Sequence, residues 1–294
     1  MSSVSDAAPV TEQPSGKRAT APGVRLVRRR KLLVLAARLG VAVLAIGGWQ
    51  LVTTIGWLDP FFFGQPSGIA SRLGDFFSQG DQATEFGSFW AQIATTLREA
   101  VFGFALGAVA GVVFGVALGQ NRFLAEVFGP YIKIVNAIPR IVLGSIFVVA
   151  FGIGETPKVL LAAVLVFFVV FFNAFQGVRE VDRNILANAR VLGASPLQIV
   201  RHVVVPSALT WIIASLHTAF GFAIVGALVG EVLGAQSGLG LVIKTAQNNF
   251  DPNGVFATMA VIAVIALTAE WLITRLERRL LSWRPPASSE SPAI

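Results

Sequence analysis

The segment Val181–Pro206 reads VDRNILANARVLGASPLQIVRHVVVP, and it is polar and basic although long apolar segments flank it on both sides. Asp182 is well placed to cap a short helix, because aspartate readily accepts hydrogen bonds from the free N–H groups of a first turn. Gly193 is well placed to end that helix, because glycine readily adopts the left-handed conformation of a C-terminal cap. The first half of the segment is therefore predicted to be a short, capped helix.

The second half of the segment carries the signals of another helix. Ser195 is a preferred N-cap, Pro196 suits the first helical position, and Pro206 is expected to stop the helix. The two helices joined at the glycine form what we term the elbow, residues 182–206. An elbow on a cytoplasmic face suits docking to a soluble partner, although the cap signals are equally compatible with a loop that only links two spans.

The composition is that of a membrane protein. Hydrophobic residues make up 54% of the chain and charged residues 13%, and the mean hydropathy is +0.71. Because the sequence contains no cysteine, disulfides and thiolate metal sites are excluded. The net charge of +7 is carried by residues that flank apolar segments, which is typical of membrane orientation and argues against a nucleic-acid partner.

Six apolar segments are long enough to cross a membrane as helices. They lie at about residues 32–55, 93–118, 131–151, 158–178, 207–233 and 255–276. We predict an all-α integral membrane protein with six transmembrane helices, with cytoplasmic N and C termini and with the elbow between helices 4 and 5. The predicted divisions are a disordered basic tail (1–31), the first transmembrane helix (32–56), an extracytoplasmic segment (57–90), a core of five further helices (91–282) and a cytoplasmic tail (283–294).

The distribution of basic residues predicts which side of the membrane each connection occupies. Of the 23 Lys and Arg residues, 18 lie on or beside the segments predicted to be cytoplasmic: eight at positions 17–38, two at positions 122 and 133, four at positions 179–201 and four at positions 275–284. Arg140 is expected inside the membrane, and Lys158 is among the few basic residues expected on or near the outside. Since basic residues concentrate on the cytoplasmic side, this asymmetry favours cytoplasmic termini and a cytoplasmic elbow.

Two of the predicted spans carry special residues. The second span has a glycine at every fourth position, namely Gly103, Gly107, Gly111, Gly115 and Gly119, and a stripe of small residues lets helices approach closely. Close approach is compatible with a transport core and equally with ordinary membrane packing. The third span contains Pro139, where a break in the helix is tolerated if neighbouring helices or a cavity satisfy the backbone.

The sequence lacks the motifs of an enzyme. It contains no G-x-x-x-x-G-K-S/T phosphate loop, so this chain has no recognisable means of binding ATP. It also contains no H-E-x-x-H metal motif and no G-x-S-x-G nucleophile motif. A catalytic function is therefore not expected of this chain.

The elbow resembles the cytoplasmic EAA loop of permeases in ATP-binding-cassette importers. In that family Glu-Ala-Ala is followed after three residues by Gly and after nine more by Ile-x-Leu-Pro. Here Ala187–Ala189 (ANA) precedes Gly193, and Val203–Pro206 (VVVP) follows at the same spacing. The Glu of the family is replaced by Ala187 and its first Ala by Asn188, so this chain lacks the charged residue of the family at that position, whereas the elbow is retained.

Other short runs resemble the nitrate/sulfonate/taurine-type branch of that family, and they extend the likeness to about residues 90–284. They are Phe151–Glu155 (FGIGE), Arg190–Ser195 (RVLGAS), Gly230–Glu231 (GE), Ser237–Gly240 (SGLG) and Leu276–Leu280 (LERRL). The resemblance implies a MetI-like, type I permease subunit in a prokaryotic plasma membrane, without catalytic activity of its own.

The resemblance also implies the partners of the chain. A second permease copy, most often an identical one, would complete the pathway within the membrane lipid, and an extracytoplasmic binding protein would deliver the substrate. Two cytoplasmic ATPase subunits would dock on the elbows, and ATP and Mg would be bound by these subunits, with no cofactor in this chain. The residues expected to contact the ATPase are Asn188, Ala189, Arg190, Gly193, Ala194 and Ser195.

Polar side chains inside spans are candidates for the substrate pathway, because burying them without partners is costly. They are Arg140, Asn173, Gln176, His217 and Glu231. Asn173 and Gln176 are equally suited to bonding between helices, and His217 to a satisfied packing role. Glu231 is suited either to line a gate or to cap the following loop. Arg140 is suited to meet an anion, such as a sulfonate, nitrate or carboxylate, or to snorkel inward.

Two other function classes compete with an importer permease. A stand-alone secondary transporter or channel would need intramembrane acidic residues or inverted repeats, and only Glu231 and Glu270 stand out near span ends. A membrane enzyme would need a catalytic cluster, which the sequence does not offer. Association with a separate ATPase would distinguish the importer from both alternatives.

Overall fold

A computed structural model describes residues 22–234 and 236–280 of the chain. These residues are helical apart from short connections and an isolated bridge between Thr84 and Gly87, in agreement with the predicted all-α class. The predicted tail at 283–294 and most of the one at 1–31 lie outside the described residues. The first helix already begins at Pro22, within the segment predicted to be disordered.

The helices are numbered in chain order. They are α1 (Pro22–Ile55), α2 (Pro60–Phe63), α3 (Pro66–Ser78), α4 (Phe89–Gln120), α5 (Arg122–Ala137), α6 (Val142–Phe151), α7 (Thr156–Arg179), α8 (Arg183–Val191), α9 (Pro196–Ile199), α10 (Val205–Leu233), α11 (Leu239–Asn248) and α12 (Pro252–Leu280). A 3₁₀ turn at Gly80–Gln82 precedes α4, and a π-helical turn at Val200–Val204 joins α9 to α10.

Among the described residues, five helical stretches are long and apolar enough to cross a membrane. They are Leu32–Ile55, Phe89–Gln120, Thr156–Arg179, Pro196–Leu233 and Pro252–Arg279. They correspond to the predicted first, second, fourth, fifth and sixth spans. Many of their large apolar side chains are exposed on the surface of the chain, as a lipid environment favours.

The third predicted span is not one helix. It is divided between α5 and α6, which meet at an angle of 93°, and only the pair together passes the criteria for a span. Ile138 has extended backbone angles (φ −69°, ψ 130°), because a following proline disfavours the helical conformation, and Pro139 cannot donate a helical hydrogen bond. The predicted connection at 120–130 is also mostly helical, since α5 begins at Arg122.

The centre of the fold consists of α4, α7 and α10. The glycine stripe of α4 faces α7, and a Cβ atom at Gly115 would lie 2.7 Å from the carbonyl oxygen of Phe171. A Cβ atom at Gly107 would likewise collide with the carbonyl oxygen of Ala163. The two helices are therefore closer than any side chain on this stripe would allow, as the sequence predicted.

The prediction that Pro206 stops the second elbow helix is wrong. The helix continues from Pro196 to Leu233 as one 38-residue stretch. The N–H of Val205 bonds to the carbonyl of Val200, so the turn before the proline holds one residue more than an α-helical turn. A wider turn relieves the clash that a proline ring makes with the preceding turn, and the chain therefore passes through Pro206 without ending the helix.

Candidate functional site

The first elbow helix, α8, is capped at both ends. The Asp182 carboxylate accepts a hydrogen bond from the N–H of Asn184 at 2.8 Å. At the other end Gly193 has φ +79°, and the N–H of Ala194 bonds to the carbonyl of Ala189 at 3.0 Å. This is the Schellman type of helix ending. Because no atom lies within 4 Å of a Cβ built at Gly193, backbone conformation and not space calls for glycine there.

The second elbow helix begins with the predicted Ser195 cap, and the structure shows in addition that the cap is reciprocal. The Ser195 hydroxyl accepts a hydrogen bond from the N–H of Gln198 at 3.3 Å. The side chain of Gln198 accepts one in return from the N–H of Ser195 at 2.8 Å. This capping box fixes the angle at which the chain enters α9.

The tip of the elbow is exposed and partly apolar. Of the residues expected to contact an ATPase, Asn188, Arg190, Gly193 and Ser195 are exposed, whereas Ala189 and Ala194 are half-buried against the core. Val191 and Leu192 are each 86% exposed and Leu197 is 75% exposed, although none of them was predicted as a contact. Three large apolar side chains exposed together beside an arginine form an apolar patch of the kind that marks a surface for interaction with another protein.

The underside of the elbow is joined to the three-helix core. A buried apolar cluster there consists of Ala174, Val178, Val181, Ile199, Val204, Ala208 and Ile212. Leu186 of α8 packs against this cluster. A cavity of about 470 Å³ lies beside it, between the elbow and the end of α4, and its lining includes Arg190 and Gln120. The elbow therefore rests on the core through apolar contacts while its tip projects.

Asn173 and Gln176 are satisfied within their own stretch of chain. The Asn173 side chain donates to the carbonyl of Val169 at 2.8 Å, and that of Gln176 donates to the Glu180 carboxylate at 2.8 Å. Neither bond crosses between helices, which was the alternative considered for this pair. Gln176 is exposed, and its role in a substrate pathway stays a prediction.

His217 of α10 connects to α12 through both ring nitrogens. Nδ1 lies 2.8 Å from an oxygen of Glu270, and Nε2 lies 3.1 Å from an oxygen of Glu277. The two carboxylates are seven residues apart, so they lie on one face of α12. Both ring nitrogens therefore have a carboxylate oxygen within hydrogen-bond distance, and His217 joins α10 to α12; its role in a pathway stays a prediction.

Arg140 lies in the break between α5 and α6. Its guanidinium group is 4.8 Å from the centre of the Phe168 ring on α7, a cation–π contact, and it also bonds to Asn136. The side chain is half-buried. Because the helix is broken at this point, the Arg140 side chain lies beside the core and is not part of a continuous helix.

Glu231 is completely buried near the end of α10. One carboxylate oxygen accepts a hydrogen bond from the hydroxyl of Thr96 at 2.6 Å, and the other accepts one from the N–H of Gly240 at 2.6 Å. The second contact corresponds to the role of capping the following loop. We return to this group below, because the two bonds join three helices.

A buried polar cluster at the end of the core opposite the elbow was missed from the sequence. Lys158 and Glu99 form an ion pair there, with Nζ 3.2 Å from Oε1, and their side chains are 3% and 0% exposed. Lys158 is thus enclosed between helices; the sequence predicted only the side of the membrane on which it lies, on or near the outside, and its burial was not anticipated. A signal was available: Gln92, Thr96 and Glu99 continue the face of the glycine stripe at helical spacing.

A second cavity of about 240 Å³ lies on the same end of the molecule. It is formed by α3, the segment that follows it and α11, and polar groups of Arg72, Gln79, Glu85 and Asn249 contribute to its lining. Arg72 forms an ion pair with Asp251 at 2.8 Å across it. The chain therefore presents a polar surface here and an apolar-tipped elbow at the opposite end of α10.

Comparison with known proteins gives a consistent result. Residues 103–282 match the family described as "Binding-protein-dependent transport system inner membrane component". The chain is 29% identical to the putative aliphatic sulfonates transport permease protein SsuC of Bacillus subtilis, over 80% of this chain and 83% of the relative. It is 30% identical to the riboflavin transport system permease protein RibX of Chloroflexus aurantiacus, over 89% of this chain and 95% of the relative.

The fold is also that of a solved transporter chain. A chain from inward-facing crystal structures of the MetNI methionine ABC transporter superposes with a TM-score of 0.54. The match covers 69% of this chain and 95% of the other, at 20% sequence identity. At that identity the likeness concerns the fold alone.

Proposed function

Because the chain belongs to the family of binding-protein-dependent transport system inner membrane components, we propose that it forms the pathway of an ATP-driven importer for a small anion. The chain is a multi-pass permease subunit of the MetI type in a bacterial inner membrane. In the proposed importer two copies form the pathway, and an extracytoplasmic binding protein delivers the substrate. ATP is bound and hydrolysed by a separate pair of ATPase subunits.

The observation that carries the proposal is the elbow. Its two helices are individually capped, so the tip keeps its shape without help from a neighbouring chain. The tip exposes Val191, Leu192 and Leu197 beside Arg190, which suits burial in a cleft of a partner protein. An ATPase is the expected partner, because the sequence itself has no phosphate loop.

The path from the elbow into the membrane is continuous. The second elbow helix runs through the π-helical turn directly into α10, and the whole stretch from Pro196 to Leu233 is helical. A movement imposed on the elbow by ATPase closure is therefore applied to a membrane helix without an intervening loop. In the proposed cycle this movement reorients α10 and the helices packed on it, so the pathway opens alternately to each side.

Two observations support the proposal that the substrate is an anion. The name of SsuC refers to aliphatic sulfonates, whereas that of RibX refers to riboflavin. Arg140 supplies a cationic group at the break between α5 and α6, and arginine binds sulfonate or carboxylate oxygens well. A sulfonate or another small organic anion is the substrate that both supports favour.

Copurification tests the proposed partner. The tagged chain is purified from its native membranes in mild detergent, and the proteins that accompany it are identified. We expect an ATPase to copurify and the Arg190→Glu variant to retain about tenfold less of it, because reversing a charge within an interface costs this much or more. Arg98→Glu is a matched control, since Arg98 is also exposed but lies in the half of α4 remote from the elbow.

A stand-alone transporter predicts a different result. The observation that favours a stand-alone transporter is Glu99, an acidic residue that is buried within α4 and is additional to Glu231 and Glu270. If the chain purifies alone and moves solute into liposomes without ATP, the importer proposal is wrong. The ion pair of Glu99 with Lys158 would then become the first candidate for ion coupling.

A further inference from the structure

The start of α11 is held by side chains from two other helices. The N–H groups of Gly238, Leu239 and Gly240 are consecutive and buried. The first donates to Gln92 of α4 at 2.7 Å, and the second donates to Thr96 of α4 at 2.8 Å. The third donates to the Glu231 carboxylate of α10 at 2.6 Å. We term this group of residues the α11 junction.

Every hydrogen-bonding group in the α11 junction that faces the start of α11 is used. The Thr96 hydroxyl accepts from α11 and donates to Glu231 at 2.6 Å, so both oxygens of this carboxylate have a donor. The N-cap residue of α11, Gly238, offers no side-chain cap of its own. Three of the N–H groups at this helix start are thus satisfied by α4 and α10, and a satisfied buried network holds its members in one arrangement.

The two glycines of the junction are required by this contact. Gly238 has φ +113°, and a side chain built there would collide with the Glu231 carboxylate. A Cβ atom at Gly240 would lie 2.6 Å from the carbonyl oxygen of Leu228. The sequence run SGLG at 237–240 is therefore explained by the close approach of α11 to the end of α10.

A second bond ties the same two helices together. The Lys244 ammonium group donates to the carbonyl of Val232 at 2.8 Å, in the last turn of α10. Carbonyls at a helix end lack partners within the helix, and a lysine is a favourable one. The end of α10 and the start of α11 therefore cap each other.

We propose that Glu231 is a positioning residue that makes α11 move together with α10, so that movement of the elbow reaches the opposite end of the molecule. The inference rests on the proposed function, because it assumes an ATPase that drives the elbow. The elbow lies at one end of the helix Pro196–Leu233 and the α11 junction at the other. The cavity between α3 and α11 then changes shape with the elbow, since α11 forms one of its walls.

The variant Glu231→Gln separates this role from a purely structural one. Glutamine keeps the size of the side chain but replaces one of the two acceptor oxygens by an NH₂ group, and since Thr96 and Gly240 donate to different oxygens, one of the two bonds is lost. We expect the assembled transporter in liposomes to keep hydrolysing ATP, because the elbow still moves. Import per ATP hydrolysed should fall about tenfold, the effect of losing one buried hydrogen bond. Glu126→Gln on the exposed face of α5 is the matched control.

A second pair of variants distinguishes the loss of the hydrogen bond from a folding defect. Thr96→Val keeps the shape of the side chain and removes the hydroxyl, whereas Thr96→Ser restores a hydroxyl. We expect the valine variant to lose import per ATP and the serine variant to recover it. Hydrogen exchange of the segment at 236–242 should be faster in Glu231→Gln and Thr96→Val than in the unmodified chain, which reports directly on the junction.

The outcomes distinguish this inference from the proposed function. If the unmodified complex neither hydrolyses ATP nor imports solute, the proposed function is wrong. The positioning role of Glu231 is then wrong as well, because it depends on that function. If the unmodified complex imports, but both variants keep its ratio of import to ATP, only the positioning role is overturned. Equal loss of import in Thr96→Ser and Thr96→Val also overturns it, because side-chain volume and not the hydroxyl would then matter.

Discussion

Lys158 and Glu99 show what a single pair of residues contributes at the end of the core opposite the elbow. Both side chains are shut off from solvent between α7 and α4. A buried charge is tolerated only when an opposite charge accompanies it, and the cost of removing one partner exceeds the net gain from having both. The pair therefore makes the packing of α4 on α7 depend on two side chains at once.

Replacing Lys158 alone should be strongly destabilising. We expect Lys158→Met to lower the free energy of unfolding by about 3–5 kcal/mol, because it leaves the Glu99 carboxylate buried without a counter-charge. The double variant Lys158→Met with Glu99→Gln should recover most of this loss. Unfolding in detergent, followed by intrinsic fluorescence, measures both.

An exposed pair provides the control for that experiment. Arg122 and Glu126 are 87% and 66% exposed on α5, and such pairs contribute little because water screens them. Arg122→Met should therefore leave the unfolding midpoint nearly unchanged. A Lys158→Met variant as stable as this control would contradict the buried-pair interpretation.

Helix α4 shows how an element depends on the absence of side chains. Its glycine stripe touches the backbone of α7, and at Gly111 a Cβ atom would lie 2.9 Å from the carbonyl oxygen of Phe167. Backbone atoms cannot swing aside as a flexible side chain can. The stripe therefore sets the distance between the two helices, and a methyl group anywhere along it forces them apart.

A single methyl group at the centre of the stripe tests this distance. We expect Gly107→Ala to lower the free energy of unfolding by roughly 1–3 kcal/mol, because the new methyl would collide with the Ala163 carbonyl and with Val166. Gly221→Ala in α10 is the control, since no atom lies within 4 Å of a Cβ at that position. Alanine favours helix over glycine, so this control should be neutral or stabilising. Thermal unfolding that shifts equally in both variants would refute close packing as the reason for the stripe.

At the scale of the whole molecule, the elbow and the α11 junction lie at opposite ends of one long helix. The distribution of basic residues predicts that the elbow end is cytoplasmic, because 18 of the 23 Lys and Arg residues lie on or beside segments assigned to that side. The cavity between α3 and α11 would then face outward, toward an arriving binding protein.

Labelling of single cysteines tests this orientation in a chain that has no native cysteine. Gln247→Cys places a thiol on α11, and Val191→Cys places one at the tip of the elbow, where both native side chains are exposed. A maleimide that cannot cross membranes should label the Gln247→Cys variant in intact cells. The Val191→Cys variant should react only after the membrane is made permeable. The opposite pattern would invert the predicted topology.

The amino-acid sequence by itself determined the parts of this protein that depend on near neighbours. Apolar length defined the membrane helices, because a helix of that composition is stable in lipid whatever packs against it. Asp182, Gly193 and Ser195 defined the caps of the elbow, because each cap bonds to atoms within five residues of itself. The spacing from Ala187 to Pro206, which carries the family resemblance, is likewise a property of neighbouring positions and can be read from the sequence.

Only the tertiary structure decided what depends on distant residues. The N–H of Gly238, at the start of α11, donates to Gln92, 146 positions away, and no local sequence pattern predicts such a partner. Proline restricts the preceding backbone but does not choose the outcome: the chain turns by 93° at Pro139, whereas the helix continues through a wider turn at Pro206. The two sites differ in their packing: Val204 and Ala208 beside Pro206 are buried against the core, whereas no residue of α5, which leads to Pro139, is buried. The local restriction that a proline imposes does not contain this difference, because the packing depends on residues far away in the chain.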